Sequence, residues 1–217
     1  MSKIKIGVFD SGLGGLSMAN AINNELPGVE TILKSDTEHF PYGNRTSTEI
    51  YKFTKPLIND LVSSGCQIIV IACNTVTTNL IDNLRQDFNV PLVGMEPMIK
   101  PAAEATHSQV IAVCATPRTL ASKRYKWLKD SYASDIKVLE PDCGDWAEMI
   151  ETNTINREKI ASIVNDICSL GADVIVLGCT HYHWIEEVVI ELANGRAKVL
   201  QPEIPVLVQL KAVLSTL

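Results

Sequence analysis

Two unbroken apolar runs constrain this chain more than anything else in it. Ile68-Ile69-Val70-Ile71 and Val174-Ile175-Val176-Leu177 contain no polar residue, so each needs cover on both faces. That is the pattern of a central strand in a parallel sheet with helices packed on either side. Each run leads to a cysteine: Ala72-Cys73-Asn74-Thr75 follows the first, and Gly178-Cys179-Thr180-His181 follows the second. Hydroxyl or amide side chains come next, and then a helix-like pattern.

Strand signals recur at 4–9, 30–33, 67–72, 91–94, 110–114, 136–139, 174–177 and 198–200. Helical patterns fill the gaps, so the chain reads as α/β with a mostly parallel sheet. Thr46-Ser47-Thr48-Glu49 has the form of a capping box, and Ile50, Phe53, Leu57, Ile58 and Leu61 continue from it along one stripe. Pro56 falls inside that stripe and predicts a kink or break. A weak internal echo pairs Ile6-Gly7-Val8-Phe9-Asp10-Ser11-Gly12 with Ile111-Ala112-Val113-Cys114-Ala115-Thr116-Pro117, and the two cysteine runs form a second pair. The expected architecture is two similar halves, each a mostly parallel sheet flanked by helices. The first half takes residues 1–96, with about 204–217 packing back on it, and the second takes 97–203. The expected active site lies in the crevice between them.

Bulk properties exclude several classes. Among 217 residues, 46% are hydrophobic and 20% charged, an ordinary balance for a globular chain. No run approaches the roughly 18 apolar residues of a membrane span. Met1-Ser2-Lys3-Ile4-Lys5 passes directly into a strand, without the apolar core of a signal peptide. A cytoplasmic location and no membrane partner are expected. The net charge of −6 argues against a nucleic-acid surface. Lys123, Arg124, Lys126 and Lys129 alternate with Tyr125, Trp127 and Leu128, as on a solvated helix face. The six cysteines include no C-x-x-C pair, which is neither a disulfide scaffold nor a zinc ribbon. Cys66 and Cys168 read as buried apolar fillers, and Cys114 and Cys143 as structural.

In parallel sheets ligands bind beyond the carboxyl ends of the strands. The residues that follow those ends are Asp10-Ser11-Gly12, Asp36 with Pro41-Tyr42-Gly43, Cys73-Asn74-Thr75, Glu96, Thr116 with Thr119, and Cys179-Thr180-His181. Helix N-termini at the same rim would offer N–H donors to a substrate carboxylate. Asp10-Ser11-Gly12-Leu13-Gly14-Gly15 is a tight strand-to-helix turn that also resembles a dinucleotide loop, with Asp36 some twenty residues on. Ser17, however, stands where that fingerprint needs its third glycine. His181 and His183 could ligate a metal with Cys179, but His183, just ahead of a helix, is expected to face solvent. No metal is expected.

A thiol of pKa about 8.5 is only slightly ionised at neutral pH, so a catalytic cysteine needs a proton partner. Asp10 is placed to serve Cys73, and His181, joined by Glu151, to serve Cys179. A substrate carbon held by both thiols could lose a proton to one and gain a proton from the other. That is a 1,1-proton transfer inverting a stereocentre.

With these motifs laid out, the chain resembles the glutamate racemases of the aspartate/glutamate racemase superfamily from Ile6 to about His181. The resemblance rests on Gly7-Val8-Phe9-Asp10-Ser11-Gly12-Leu13-Gly14-Gly15-Leu16, Ser35-Asp36-Thr37, Pro41-Tyr42-Gly43, Ala72-Cys73-Asn74-Thr75 and Leu177-Gly178-Cys179-Thr180-His181-Tyr182. It implies a cofactor-independent enzyme with Cys73 and Cys179 as acid/base residues, assisted by Asp10, His181 and Glu151. Ser11, Tyr42, Gly43, Asn74, Thr75, Thr116, Thr119 and Thr180 would hold the amino acid. It further implies glutamate as substrate, a homodimer, and supply of D-glutamate for peptidoglycan. His183 stands where the family usually has proline, Cys114-Ala115 replaces the usual glycine, and Asp142-Cys143-Gly144-Asp145-Trp146 departs from the usual Cys-Pro stretch. An aspartate or other amino-acid racemase of the superfamily, or a non-catalytic small-anion binding protein on the same fold, are the alternatives.

Overall fold

A computed structural model describes residues 3–216. Within it, Pro97–Pro202 form one compact unit, and the described residues on either side of that segment form the other.

The first unit runs β1 (Lys5–Asp10), α1 (Gly15–Glu25), β2 (Glu30–Ser35), a 3-10 turn at Tyr42–Asn44, α2 (Ser47–Ser63), β3 (Ile68–Ile71), α3 (Asn74–Asp87) and β4 (Leu92–Gly94). Its four strands are parallel, in the order β2-β1-β3-β4. The second unit runs α4 (Ile99–Ala105), β5 (Val110–Ala115), α5 (Pro117–Leu120), α6 (Lys123–Tyr132), β6 (Lys137–Leu139), α7 (Trp146–Glu151), α8 (Arg157–Ser169), β7 (Val174–Gly178), a 3-10 segment at Thr180–Ile185, α9 (Glu186–Ala193) and β8 (Lys198–Leu200). Its sheet is also parallel, in the order β6-β5-β7-β8. Each sheet thus places its unit's second and fourth strands in chain order around a central pair formed by the first and third: β1 with β3, and β5 with β7. The sequence echo has this topological meaning. The chain then returns to the first unit with α10 (Glu203–Leu214).

Burial explains why the middles of the central strands carry no polar residue. In β1 and β3, Ile6, Val8, Ile68 and Val70 point to one face, where Met18 and Ile22 of α1 and Val206, Leu207 and Leu210 of α10 cover them. Phe9, Ile69 and Ile71 point to the other, under Ile50, Ile58 and Leu61 of α2 and Val76, Leu80 and Leu84 of α3. The strand period of two sends alternate residues to opposite faces, and both faces are covered. In the second unit Ile111, Val113, Val174 and Val176 pack with Ile99 of α4 and with Tyr125 and Leu128 of α6. Burying a single Ile or Leu of this kind contributes roughly 1.5–3 kcal/mol.

The capping box forms as its residues foretell: the Thr46 hydroxyl accepts the Glu49 amide, and the Glu49 carboxylate accepts the Thr46 amide. At Pro56 the helix does not break, since α2 continues through it for a full 17 residues. Pro56 and Lys52 are both exposed, so this side of the helix borders solvent, where water can serve a carbonyl that lacks its helical partner. The solvated-helix expectation for α6 holds in part. Lys123 and Lys126 are exposed, but Trp127 is exposed as well, with the Arg124 guanidinium 4.3 Å over its ring. Cys66 is buried as expected, whereas Cys168 is only half-buried. Among the described residues no helix is long and apolar enough to cross a membrane.

Candidate active site

The first unit gathers its polar residues at the carboxyl ends of β1 and β3. These strands are neighbours, and the Ala72 amide donates to the Phe9 carbonyl at 2.8 Å. The pairing sets the turn after β1 beside the cysteine after β3. Asp10 is fully buried and its Oδ2 accepts the Gly12 amide at 3.2 Å, tightening the turn. A Cβ on Gly15 would lie 2.6 Å from the Asp10 Cβ, so only glycine lets α1 begin this close to Asp10. Ser11 Oγ lies 3.2 Å from Cys73 Sγ, and both residues are buried. Ser11 is expected from the sequence among the substrate contacts; in the structure it is a hydrogen-bond partner of the thiol.

Cys73 has extended backbone and is the N-cap of α3. Directly after it, Asn74 is 2% exposed, and neither side-chain amide atom has a hydrogen-bond partner within the protein. Leaving a buried polar group unmet costs about 1–3 kcal/mol, so this amide is suited to a polar ligand group. Thr75 is buried beside it. The Thr77 hydroxyl donates to the Ile71 carbonyl at 3.1 Å and accepts the Met95 amide at 3.2 Å, anchoring the first turn of α3 to the strand ends.

Tyr42 and Gly43 open the 3-10 turn after β2. Tyr42 is 1% exposed and its hydroxyl donates to Asp36 Oδ2 at 2.6 Å. Burial first, and then the Asp36 carboxylate, push this hydroxyl far above its ordinary range, so it stays protonated. The Asp36 carboxylate is 6% exposed and taken up by Tyr42 and His39. That engagement disposes of the ribose-binding role a dinucleotide loop would give it.

In the second unit Gly178 closes β7, and a Cβ there would meet the Ala115 Cβ at 3.0 Å and the Cys114 carbonyl at 3.3 Å. Cys179 is 7% exposed. The 3-10 segment that follows turns His181 inward, where it is 1% exposed. His181 Nδ1 lies 3.9 Å from Cys179 Sγ, and Nε2 lies 2.6 Å from Glu151 Oε2 at the end of α7. An ionised carboxylate only accepts, so the hydrogen-bond logic assigns the proton to Nε2 and leaves Nδ1 facing the sulfur. Glu151, His181 and Cys179 therefore stand in line. Thr180 is 1% exposed. Thr116 caps α5, accepting the Thr119 amide, and donates its hydroxyl to Thr119 Oγ1 at 3.0 Å.

Tyr182 is fully buried; it donates its hydroxyl to the Cys143 carbonyl at 2.6 Å and meets the Trp146 ring edge-on. Cys114 and Cys143 are buried here too, consistent with structural roles. Elsewhere, burial raises the buried Cys66 thiol and the half-buried Cys168 thiol. His183 departs from expectation: it is half-buried rather than turned to solvent. Burial first, and then the neighbouring His181, lower it to about 4, so it is neutral at physiological pH. His183 lies inside the 3-10 segment Thr180–Ile185, between the buried residues Tyr182 and Ile185. No group of three or more His, Cys, Asp or Glu side chains among the described residues is arranged to hold a metal ion.

Comparison with known proteins matches this geometry to one family. The Asp/Glu/Hydantoin racemase family is matched over residues 6–208. The chain is 38% identical to a glutamate racemase of Herpetosiphon aurantiacus over 90% of its own length and 78% of the relative's. It is 37% identical to one from Pseudomonas syringae pv. tomato over 97% and 78%, respectively. The crystal structure of Escherichia coli glutamate racemase in complex with L-glutamate and the activator UDP-MurNAc-Ala superposes with a TM-score of 0.91 at 25% identity, covering 99% of this chain and 83% of that one. Two parallel four-stranded sheets with matched strand-end cysteines, and kinship along nearly the whole sequence, place the chain in the Asp/Glu/Hydantoin racemase family, as an amino-acid racemase of the glutamate racemase group.

Proposed function

We propose that the chain interconverts L- and D-glutamate by a two-thiol 1,1-proton transfer, with Cys73 and Cys179 as its two acid/base residues. The observation that carries this reading is the matched pair of buried strand-end thiols, each with a polar partner in its own unit. Ser11 lies at 3.2 Å from one, and His181, backed by Glu151, at 3.9 Å from the other. Inversion at a single carbon needs two groups, one to take the proton from one face and one to return a proton to the other. Each thiol must therefore start in a different protonation state and exchange roles in the reverse direction.

Before Cys179 acts as base, its thiol proton passes to His181 Nδ1, and the thiolate that takes the α-proton is held by the N–H of the resulting imidazolium. Glu151 stabilises that imidazolium through Nε2. At the other thiol, the Ser11 hydroxyl can donate to the Cys73 thiolate, and Asp10 serves as the proton partner. Asn74, with its unmet buried amide, and Thr75, Thr116, Thr119, Thr180 and the Tyr42-Gly43 turn hold the amino acid. The planar intermediate places charge on the substrate carboxylate, which N–H and O–H donors stabilise. Both proton carriers in this scheme are side chains, so it runs without a cofactor.

The family resemblance supports the wider role: D-glutamate supplied for peptidoglycan by a cytoplasmic homodimer. The reaction is tested by proton NMR of L-glutamate, and separately D-glutamate, incubated with the purified protein in D₂O, with polarimetry alongside. Loss of the α-proton signal and decay of optical rotation from either enantiomer is the expected result. Exchange of aspartate with glutamate untouched would overturn the substrate assignment, and no exchange with any amino acid would overturn the reaction.

A further inference from the structure

The segment between β2 and α2 carries a buried polar cluster that the proton-transfer scheme does not use. Its centre is the Asp36 carboxylate. The Asp36 amide donates to the Asp10 carbonyl at 3.1 Å, extending the β1–β2 ladder by one residue. Its backbone is thereby tied to the strand end that bears Asp10. Its side chain accepts the Tyr42 hydroxyl at 2.6 Å and the His39 amide at 3.3 Å, and His39 Nδ1 lies 2.9 Å from one carboxylate oxygen and 3.1 Å from the other.

The partners are themselves fixed from the other side. The His39 ring stacks on Phe53 of α2, with centroids 3.7 Å apart and planes 14° from parallel. Arg45 Nε donates to the His39 carbonyl at 2.6 Å, and the guanidinium lies 5.3 Å from the Phe53 ring centre. Asp36 is 6% exposed and Tyr42 1% exposed. A carboxylate this buried is costly unless paired and hydrogen-bonded, so these partners are a built arrangement. The Tyr42 hydroxyl, spent on Asp36, is also not the group through which Tyr42 would meet a substrate.

We infer that Asp36 is a positioning residue, which with His39 clamps the Tyr42-Gly43 turn against the strand end bearing Asp10. The assignment rests on the proposed role of that turn in holding the substrate. Its mechanism is mechanical. One carboxylate bridges the β1–β2 edge, the turn and the α2 platform, so the turn is held in its binding geometry before substrate arrives. Losing the clamp weakens binding more than it slows proton transfer, because the thiols and their partners stand on other segments.

The test is steady-state racemisation of glutamate by the full chain, wild type against Asp36→Ala, Asp36→Asn, Tyr42→Phe and the Tyr42→Phe/Asp36→Ala double variant. Hydrogen exchange of residues 36–46 is measured in parallel. Asp36→Ala should raise KM about tenfold or more, the effect of losing a charge-assisted hydrogen bond, with kcat changed far less. Tyr42→Phe should raise KM in the same direction, and the double variant should do little more than Asp36→Ala alone, because both break one bond. Asp36→Asn, which keeps an acceptor for Tyr42, should recover most of the loss. Exchange in 36–46 should speed up in Asp36→Ala and recover in Asp36→Asn. If Asp36→Ala does not fold, Tyr42→Phe carries the same KM-against-kcat comparison, with Asp36→Asn expected near wild type. An active wild type whose KM and local exchange are indifferent to these changes would overturn the clamp and leave the reaction standing. A wild type without glutamate turnover would overturn the reaction and the clamp with it.

Discussion

Replacing Asp173 by Asn tests whether the second unit is stabilised where its structure says it is. Asp173 precedes β7, at the end of that strand away from Cys179. Its carboxylate accepts the Thr106 hydroxyl at 2.5 Å, the His107 amide at 2.7 Å and the Ser108 amide at 2.8 Å, fastening the loop after α4 to the sheet. Partial burial by itself would raise this carboxyl, but the hydrogen bonds from Thr106, Ser108 and His107 outweigh it and lower it from 3.8 to about 2. A lowering of that size corresponds to roughly 2.5 kcal/mol. The group is partly exposed, so solvent screening brings the expectation to about 1–2 kcal/mol, or roughly 2–8 °C in melting temperature for a chain of this length.

The pH dependence has a definite sign. The folded value lies below the unfolded one, so the contribution is complete above about pH 4 and disappears as pH falls toward 2. Paired thermal melts of wild type and Asp173→Asn at pH 7, 5, 4 and 3 should show a constant gap above pH 5 that narrows at pH 3. Racemase activity at neutral pH should be unchanged, since the site is at the other end of β7. A gap below about 0.3 kcal/mol at pH 7, or one that stays constant with pH, would refute the reasoning.

Other consequences concern the site. Cys73→Ala and Cys179→Ala should each abolish racemisation while the far-UV circular dichroism and melting temperature stay near wild type; appreciable turnover by either would end the two-thiol scheme. Glu151→Gln keeps a hydrogen bond to His181 but removes its charge, a change worth about 1–1.5 kcal/mol, so kcat should fall about tenfold with KM little altered, and an unchanged kcat would show that Glu151 does not support His181. Gly15→Ala should drive its Cβ against Asp10 and depress activity more than its effect on an isolated helix would explain. His183, lowered to about 4 by burial and by His181, takes up its proton later in the folded than in the unfolded chain. Stability should therefore fall as pH drops from about 6.5 toward 4, and melts of His183→Gln over that range should lack this component.

The sequence by itself determined the elements and the two cysteines at their ends. Unbroken runs of Ile, Val and Leu this short, set in an alternating α/β pattern, read as doubly covered strands, and a cysteine just after such a strand lies at its carboxyl end, where ligands bind. Those are local facts, carried by residues within a few positions of one another. What only the tertiary structure decided is which group meets which. Ser11 reaches Cys73 across 62 residues, and no spacing rule connects the pair; Glu151 beside His181, 30 residues away, is expected from the sequence, but the 2.6 Å bond to Nε2 is a product of the fold. Tyr42 is legible as a site residue, yet its hydroxyl turns to Asp36, whose carboxylate also meets His39, stacked on Phe53 of α2. Pro56 and His183 show the same limit from the other side. An exposed face lets a helix pass through proline, and a histidine inside a 3-10 segment lies half-buried, because solvent access and local winding are set by the folded neighbours. Covalent order specifies which residues lie at a strand's end, whereas hydrogen bonds between distant segments form only once the sheets have brought those segments together.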